Sequence, residues 1–360
     1  MLGTRTRAEA SDAGRTRWRR PRRRRWLKVV AVLVVLLALA LGGTLAGTYD
    51  PSPLGHWRTD AGKQAFATSY AAAMRLLPEP TRTLDLPTDY GTVRLYEFVT
   101  PTTKSRTPVA LLPGRTASAP MWLENLPDLA AERPVYALDT LGDAGMSVQT
   151  RALVDGADQA AWLDQVLARV LEEADAPKVH LMGHSFGGWS AANCAVRHPQ
   201  RLASVTLVDP VLVFQGIRWQ IYVKSIPASL PFLPRSWRDR LLGDIGGGGE
   251  LDLDDPLARL ISDGMEHYAG KLPLPERLSD EQLRGLTVPV YAAMASDSAL
   301  HDSAAAVEVG QARIRDIRIR SWPGATHSLP MEFPAQLDRE VLAFMAEHDG
   351  PARPTAGSWP

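Results

Sequence analysis

Residues 179–188 read Val-His-Leu-Met-Gly-His-Ser-Phe-Gly-Gly, a short apolar run that ends on Gly183-His184-Ser185-Phe186-Gly187. A serine with glycine two residues away on each side suits a strand that turns sharply into a helix and leaves one hydroxyl at the tip. Such a serine sits in strained backbone, and glycine at 183 and 187 removes two Cβ atoms that would collide across the turn. The chemistry this allows is nucleophilic attack. A serine hydroxyl is weak at neutral pH, so it needs a base, and the base needs a group to orient it. The pentapeptide arises by chance in roughly one chain of this length in ten. A glycine-rich turn with a bystander serine is the alternative, and the surroundings must decide.

The surroundings favour chemistry. Lys178 to Met182 has strand length just past Pro177, and Phe186 to His198 reads as a helix stopped by Pro199. In the chain order Ser…Asp/Glu…His, the base comes late. Of eight histidines, only His327 and His348 lie near the C-terminus. His327 follows the alternating run Asp316 to Trp322 and a Pro323-Gly324 turn, so a strand end presents it. It is the expected base. His348 lies in a polar tail.

The orienting acid is expected beyond the strand Val288 to Met294. Asp297 is placed three residues past its end and ranks first. Asp302 and Asp209 are the alternatives, the latter following the strand Ser204 to Val208. Any of them could instead cap a helix or turn. Acyl transfer also needs two backbone N–H donors for the developing oxyanion. One is expected from Phe186. The other is expected from Arg115, where Gly114 lets the backbone approach after the run Val109 to Leu112.

These residues resemble the α/β-hydrolase superfamily, nearest to bacterial carboxylesterase-like serine hydrolases. The resemblance spans about residues 82–346, through LLPGRT (111–116), ALDTLGDAGMS (137–147), GHSFGGW (183–189), LSDEQLRGLTVPV (278–290) and GATHSLPMEFP (324–334). Pro113 stands where a histidine is usual, and the segment around Asp297 departs from the common Gly-x-x-Asp form. The resemblance implies a triad of Ser185, an aspartate and His327 without identifying a substrate, and the expected reaction is hydrolysis of a carboxylic ester, or of an amide, through an acyl-enzyme. An acyltransferase on the same fold and a non-catalytic ligand-binding member are the alternatives.

Eight strands are expected, at 82–86, 92–98, 109–112, 135–138, 178–182, 204–208, 288–294 and 316–321. Several are continuous apolar runs, as strands buried on both faces should be. Helical patterns between the later ones predict an α/β-hydrolase fold, a mostly parallel sheet with helices on both faces. An insertion at about 211–285 is rich in apolar and aromatic residues, among them Phe214 and Trp219, and includes Gly246 to Gly249. It is expected to form a helical cap over Ser185, with the glycines as a flexible hinge or a disordered tip. Its apolar lining favours a small-molecule ester-like substrate with an apolar part.

The chain is neutral overall, yet residues 1–28 hold ten Arg and one Lys against Glu9 and Asp12. This basic segment adjoins 29–46, an uncharged apolar run long enough to cross a bilayer. The expectation is a cell-membrane protein, single-pass, with the N-terminus cytoplasmic and the catalytic domain outside. The alternative is secretion after cleavage of a twin-arginine-like signal. Residues 47–81 read as a Pro-rich linker with a short helical patch, Lys63 to Leu77, and 347–360 as a disordered tail. A single cysteine, Cys194, excludes an intrachain disulfide. No spacing suggests a metal site and no glycine loop suits a phosphate, so the chemistry is expected to need no cofactor. Nothing points to nucleic acid.

Overall fold

A computed structural model describes residues 52–349 apart from 222, 224–234 and 248–251. A two-residue strand, β1 (His56–Trp57), and a helix, α1 (Asp60–Met74), come first. The Thr59 hydroxyl caps α1 by accepting from Gly62 N–H at 3.0 Å. Strands β2 (Arg82–Thr88) and β3 (Gly91–Phe98) then form an antiparallel pair. From β4 (Val109–Leu112) the chain alternates between strand and helix. It runs through α2 (Leu126–Glu132), β5 (Val135–Leu138), the short β6 (Val148–Gln149), α3 (Gly156–Glu173), β7 (Val179–His184), α4 (Phe186–Arg197) and β8 (Leu202–Val208). The insertion carries α5 (Arg235–Gly246), α6 (Pro256–His267), β9 (Tyr268–Ala269) and α7 (Asp280–Arg284). After it come β10 (Val290–Ala295), α8 (Ser303–Arg313), β11 (Ile317–Trp322), α9 (Leu329–Glu332) and α10 (Pro334–Glu347).

The sheet order is β11-β10-β8-β7-β4-β5-β3-β2, with β6 also on β3. Neighbours from β11 to β5 are parallel, whereas β3 is antiparallel to β5, β2 and β6. The eight expected strands are all present, each within two residues at either end. The sheet is mixed, and β6 makes it nine-stranded.

Strand side chains alternate between the two faces, so the sheet separates two cores. Along β4, Val109 and Leu111 face one side with α1, α2 and α10, through Phe66, Leu129 and Phe344. Ala110 and Leu112 face the other with α3 and α4, through Trp162, Val166 and Trp189. Both faces of the central strands are covered, which is why those strands read as unbroken apolar runs.

Several expectations are corrected here. Residues 52–81 are not a linker. β1 pairs with β9 of the insertion, and Ser69 on α1 donates to Asp263 on α6. Trp57 packs between Phe66 and Tyr268, with ring centroids 4.7 and 4.9 Å away. This segment is therefore fastened to the cap. Phe214 is not a pocket wall but part of the core under α4 and α8, while Trp219 is exposed. At the other end, Asp349 accepts from Arg133 and contacts His180, both at 3.0 Å, so packed structure continues past 347. Residues 1–28, 29–46 and 350–360 lie outside the described residues, as do Gly248 and Gly249 of the expected hinge.

Candidate active site

The elbow forms at the end of β7. Ser185 has φ 55° and ψ −118°, a strained conformation for a residue with a Cβ, and α4 begins at the next residue. Its N–H donates to Val208 O at 3.0 Å, and its carbonyl accepts from Val211 at 3.3 Å. The flanking glycines are required for two different reasons. A Cβ on Gly183 would stand 2.2 Å from Gly187 O, the expected collision across the turn. A Cβ on Gly187 would instead strike the carbonyls of Leu112 and Pro113, at 2.4 and 2.5 Å. The second glycine therefore lets α4 press against the end of β4.

His327 is presented from the turn after β11, where Gly324 takes φ 74°. Its Nε2 lies 2.8 Å from Ser185 Oγ. Its Nδ1 lies 2.6 Å from Asp209 Oδ2. With Nδ1 carrying the proton toward the carboxylate, Nε2 is left as the acceptor for the serine hydroxyl. Asp209 is the residue immediately after β8 and is fully buried. Burial alone would raise its pKa, but hydrogen bonds from His301 and His327 outweigh that and hold it well below the usual carboxylate range.

The first-ranked acid, Asp297, does not meet His327. Its side chain is exposed and accepts from Ser296 Oγ at 2.9 Å. Its backbone N–H supports the base's loop by donating to Ala325 O at 2.9 Å. Asp302 caps α8, accepting from Ala305 N–H at 3.1 Å. The structure thus brings Asp209, the third-ranked candidate, to His327.

The loop after β4 lies against the elbow. A Cβ on Gly114 would stand 3.4 Å from Ser185 Cβ and 3.1 Å from His184 Nδ1. Within this loop, Gly114 N–H points at Met121 Sδ, and Thr116 N–H donates to Asp143 Oδ2 at 3.0 Å. Arg115 N–H has no acceptor among the described residues. Phe186 N–H opens a helix and so lacks an intrahelical acceptor. Neither expected oxyanion donor, Arg115 N–H or Phe186 N–H, thus has an acceptor among the described residues. The Arg115 guanidinium lies 5.6 Å from the centre of the Phe186 ring, which stacks on Trp189.

Three contributing residues were not picked out from sequence. His184 donates from Nε2 to His327 O at 2.8 Å, holding the backbone of that residue. Burial, with the His327 charge adding to it, depresses its pKa to about 3, so it stays neutral. Ser298 and His301 both donate to Asp209, at 2.8 and 3.0 Å. All three sit inside strings already noted for other residues, and no periodicity marks their side chains as buried.

The profile of the Alpha/beta hydrolase family matches residues 109–340. Carboxylesterase YbfK of Bacillus subtilis is 25% identical over 288 residues, which are 78% of this chain and 93% of that one. The crystal structure of carboxylesterase CesB (YbfK) from the same organism superposes with a TM-score of 0.71 at 22% identity, covering 80% of this chain and 99% of that one. Naproxen esterase from Bacillus subtilis gives a TM-score of 0.70 at 22% identity, with 79% and 98% covered. The expected membrane location is corrected. No helix among the described residues is long and apolar enough to cross a membrane, and the run 29–46 on which the expectation rested lies outside them. With its profile matched over more than half the chain, and with the elbow and sheet order in place, the chain belongs to the alpha/beta hydrolase family.

Proposed function

We propose that this enzyme hydrolyses carboxylic esters through an acyl-enzyme, with Ser185 as nucleophile, His327 as base and Asp209 as the orienting acid. The observation that carries the reading is the unbroken chain Ser185 Oγ–His327 Nε2 at 2.8 Å and His327 Nδ1–Asp209 Oδ2 at 2.6 Å. Ser185 Oγ attacks the ester carbonyl while His327 Nε2 takes its proton. The oxyanion is held by the N–H groups of Phe186 and Arg115. His327 returns the proton to the leaving alkoxide, and the alcohol departs. Water, deprotonated by the same nitrogen, then attacks the acyl-enzyme, the acid leaves and Ser185 regains its proton. Asp209 stays ionised throughout, orienting the imidazole and stabilising its cation. The carboxylesterases among the relatives favour a carboxylic ester as the substrate.

The test is covalent labelling of the purified chain with a fluorophosphonate, read by intact mass, alongside turnover of short and long acyl esters. One adduct on the parent, none on Ser185→Ala, and a loss of several orders of magnitude in kcat in that variant are expected. Full esterase turnover by Ser185→Ala would falsify the assignment.

A further inference from the structure

Asp209 receives four donors. On Oδ2, the His327 ring and the Ser298 hydroxyl approach to 2.6 and 2.8 Å. On Oδ1, the Ala295 N–H and the His301 Nε2 approach to 2.9 and 3.0 Å. A carboxylate offers about four lone-pair directions, so every one is used. His301 is itself buried, 3% exposed, on the loop that joins β10 to α8.

From this geometry we infer that His301 is a positioning residue that acts on the reaction through Asp209. The inference rests on the reading of Asp209 as the triad acid. The torsion that turns an aspartate carboxylate about its stem is soft and roughly two-fold. A carboxylate held only from the Oδ2 side could swing out of the plane of the His327 ring. Ala295 supplies one restraint on Oδ1, and His301 supplies the other from a different direction. Both histidines meet the same carboxylate on opposite oxygens, so His301 touches neither the proton that moves nor the atom that attacks. Without it, Oδ1 keeps an unfilled lone pair in a site closed to water. That loss weakens the aim of Oδ2 at His327 without changing substrate contacts.

The experiment compares His301→Leu, His301→Asn and His301→Gln in the full chain, reading kcat and KM separately on a p-nitrophenyl ester and melting temperature alongside. Removing the donor with Leu, or shortening it out of reach with Asn, is expected to lower kcat about 10- to 100-fold, as small misplacements of catalytic groups do. KM should stay within about twofold. Gln, whose amide N–H reaches as far as Nε2, should recover most of the loss, and it decides the matter if Leu does not fold. The same variants are then placed on Asp209→Asn. There, His301→Leu should cost less than about twofold further, because residues acting through one another are non-additive.

Undiminished kcat in folded His301→Leu and His301→Asn, or Gln no better than Asn, overturns the inference. So does an equal loss in the parent and Asp209→Asn backgrounds, which would place the effect elsewhere. If Asp209→Asn alone keeps parental turnover, the triad reading fails first, and the two failures are told apart.

Discussion

Ser328 Oγ donates to Gly246 O at 2.8 Å and so ties the last residue of α5, in the cap, to the neighbour of His327. Thr326 Oγ1, on the other side of His327, lies 2.9 Å from the same carbonyl, while its single hydrogen has a closer acceptor in Glu332 Oε1 at 2.6 Å. His327 is thus bracketed by two hydroxyls that lie against the end of a cap helix, where α5 has spare carbonyls to offer. Any movement of that cap end pulls on the loop carrying His327.

Cutting the tether should therefore affect turnover as well as binding. Ser328→Ala combined with Thr326→Val is expected to lower kcat/KM by about tenfold, the scale of one or two hydrogen bonds. Part of that loss should fall in kcat. Steady-state kinetics on a small and a bulky ester would check it. Unchanged kcat on both substrates would mean that cap and base move independently.

Asp209 and Asp297 make a sharper pair. Asp209→Asn is expected to lower kcat by about 10⁴, since the amide favours the wrong imidazole tautomer. Asp297→Asn leaves the backbone N–H to Ala325 in place and should stay within about twofold. Parallel kcat measurements suffice, and a reversed ranking would return the acid role to Asp297.

That comparison also shows where sequence reading stopped. Strands were legible because a sheet covered on both faces imposes unbroken apolar runs such as Val109-Ala110-Leu111-Leu112. The serine and its glycines were legible because backbone collisions at 2.2 and 2.4 Å leave no other residue there. The aspartate that meets His327 was not, because β8 and β10 are parallel neighbours, with Val208 paired to Ala293. Aspartates just past either strand end up close in space. Which one turns inward depends on side-chain burial, and single-residue loop positions carry no period to reveal it. The same holds for His301, four residues from Asp297. The attachment of α1 to the cap was hidden for another reason: its partner α6 is about 190 residues away in the chain.

The glycines of the elbow make a stability prediction. Gly183→Ala puts a Cβ against the backbone of Gly187, and Gly187→Ala puts one against the carbonyls that end β4. Backbone cannot rotate aside, so each change should cost about 3 kcal/mol or more, at the high end for overpacking. Denaturant titration of both variants would show it. A loss below about 1 kcal/mol would mean that the turn can open and that the glycines serve access to the serine alone.

Asp338 on α10 sets a pH dependence of stability away from the site. It is buried beneath α2, where Asn125 Nδ2 donates to Oδ1 at 3.0 Å and Oδ2 has no partner among the described residues. Burial pushes its pKa up to about 8, against the opposing Asn125 hydrogen bond and with a smaller push from Asp128. Below the unfolded value of about 3.9, both states are protonated and the group contributes no pH dependence. Between there and about 8, the unfolded chain releases the proton and the folded chain keeps it. Stability from this group therefore falls as pH rises through that window and levels off above it. Asp338→Asn removes the titration while keeping an oxygen for Asn125. Melting temperature followed from pH 5 to pH 9 should decline less in Asp338→Asn than in the parent, with the two curves diverging most on the alkaline side. Parallel curves across that range would mean that Asp338 ionises in the folded protein without cost.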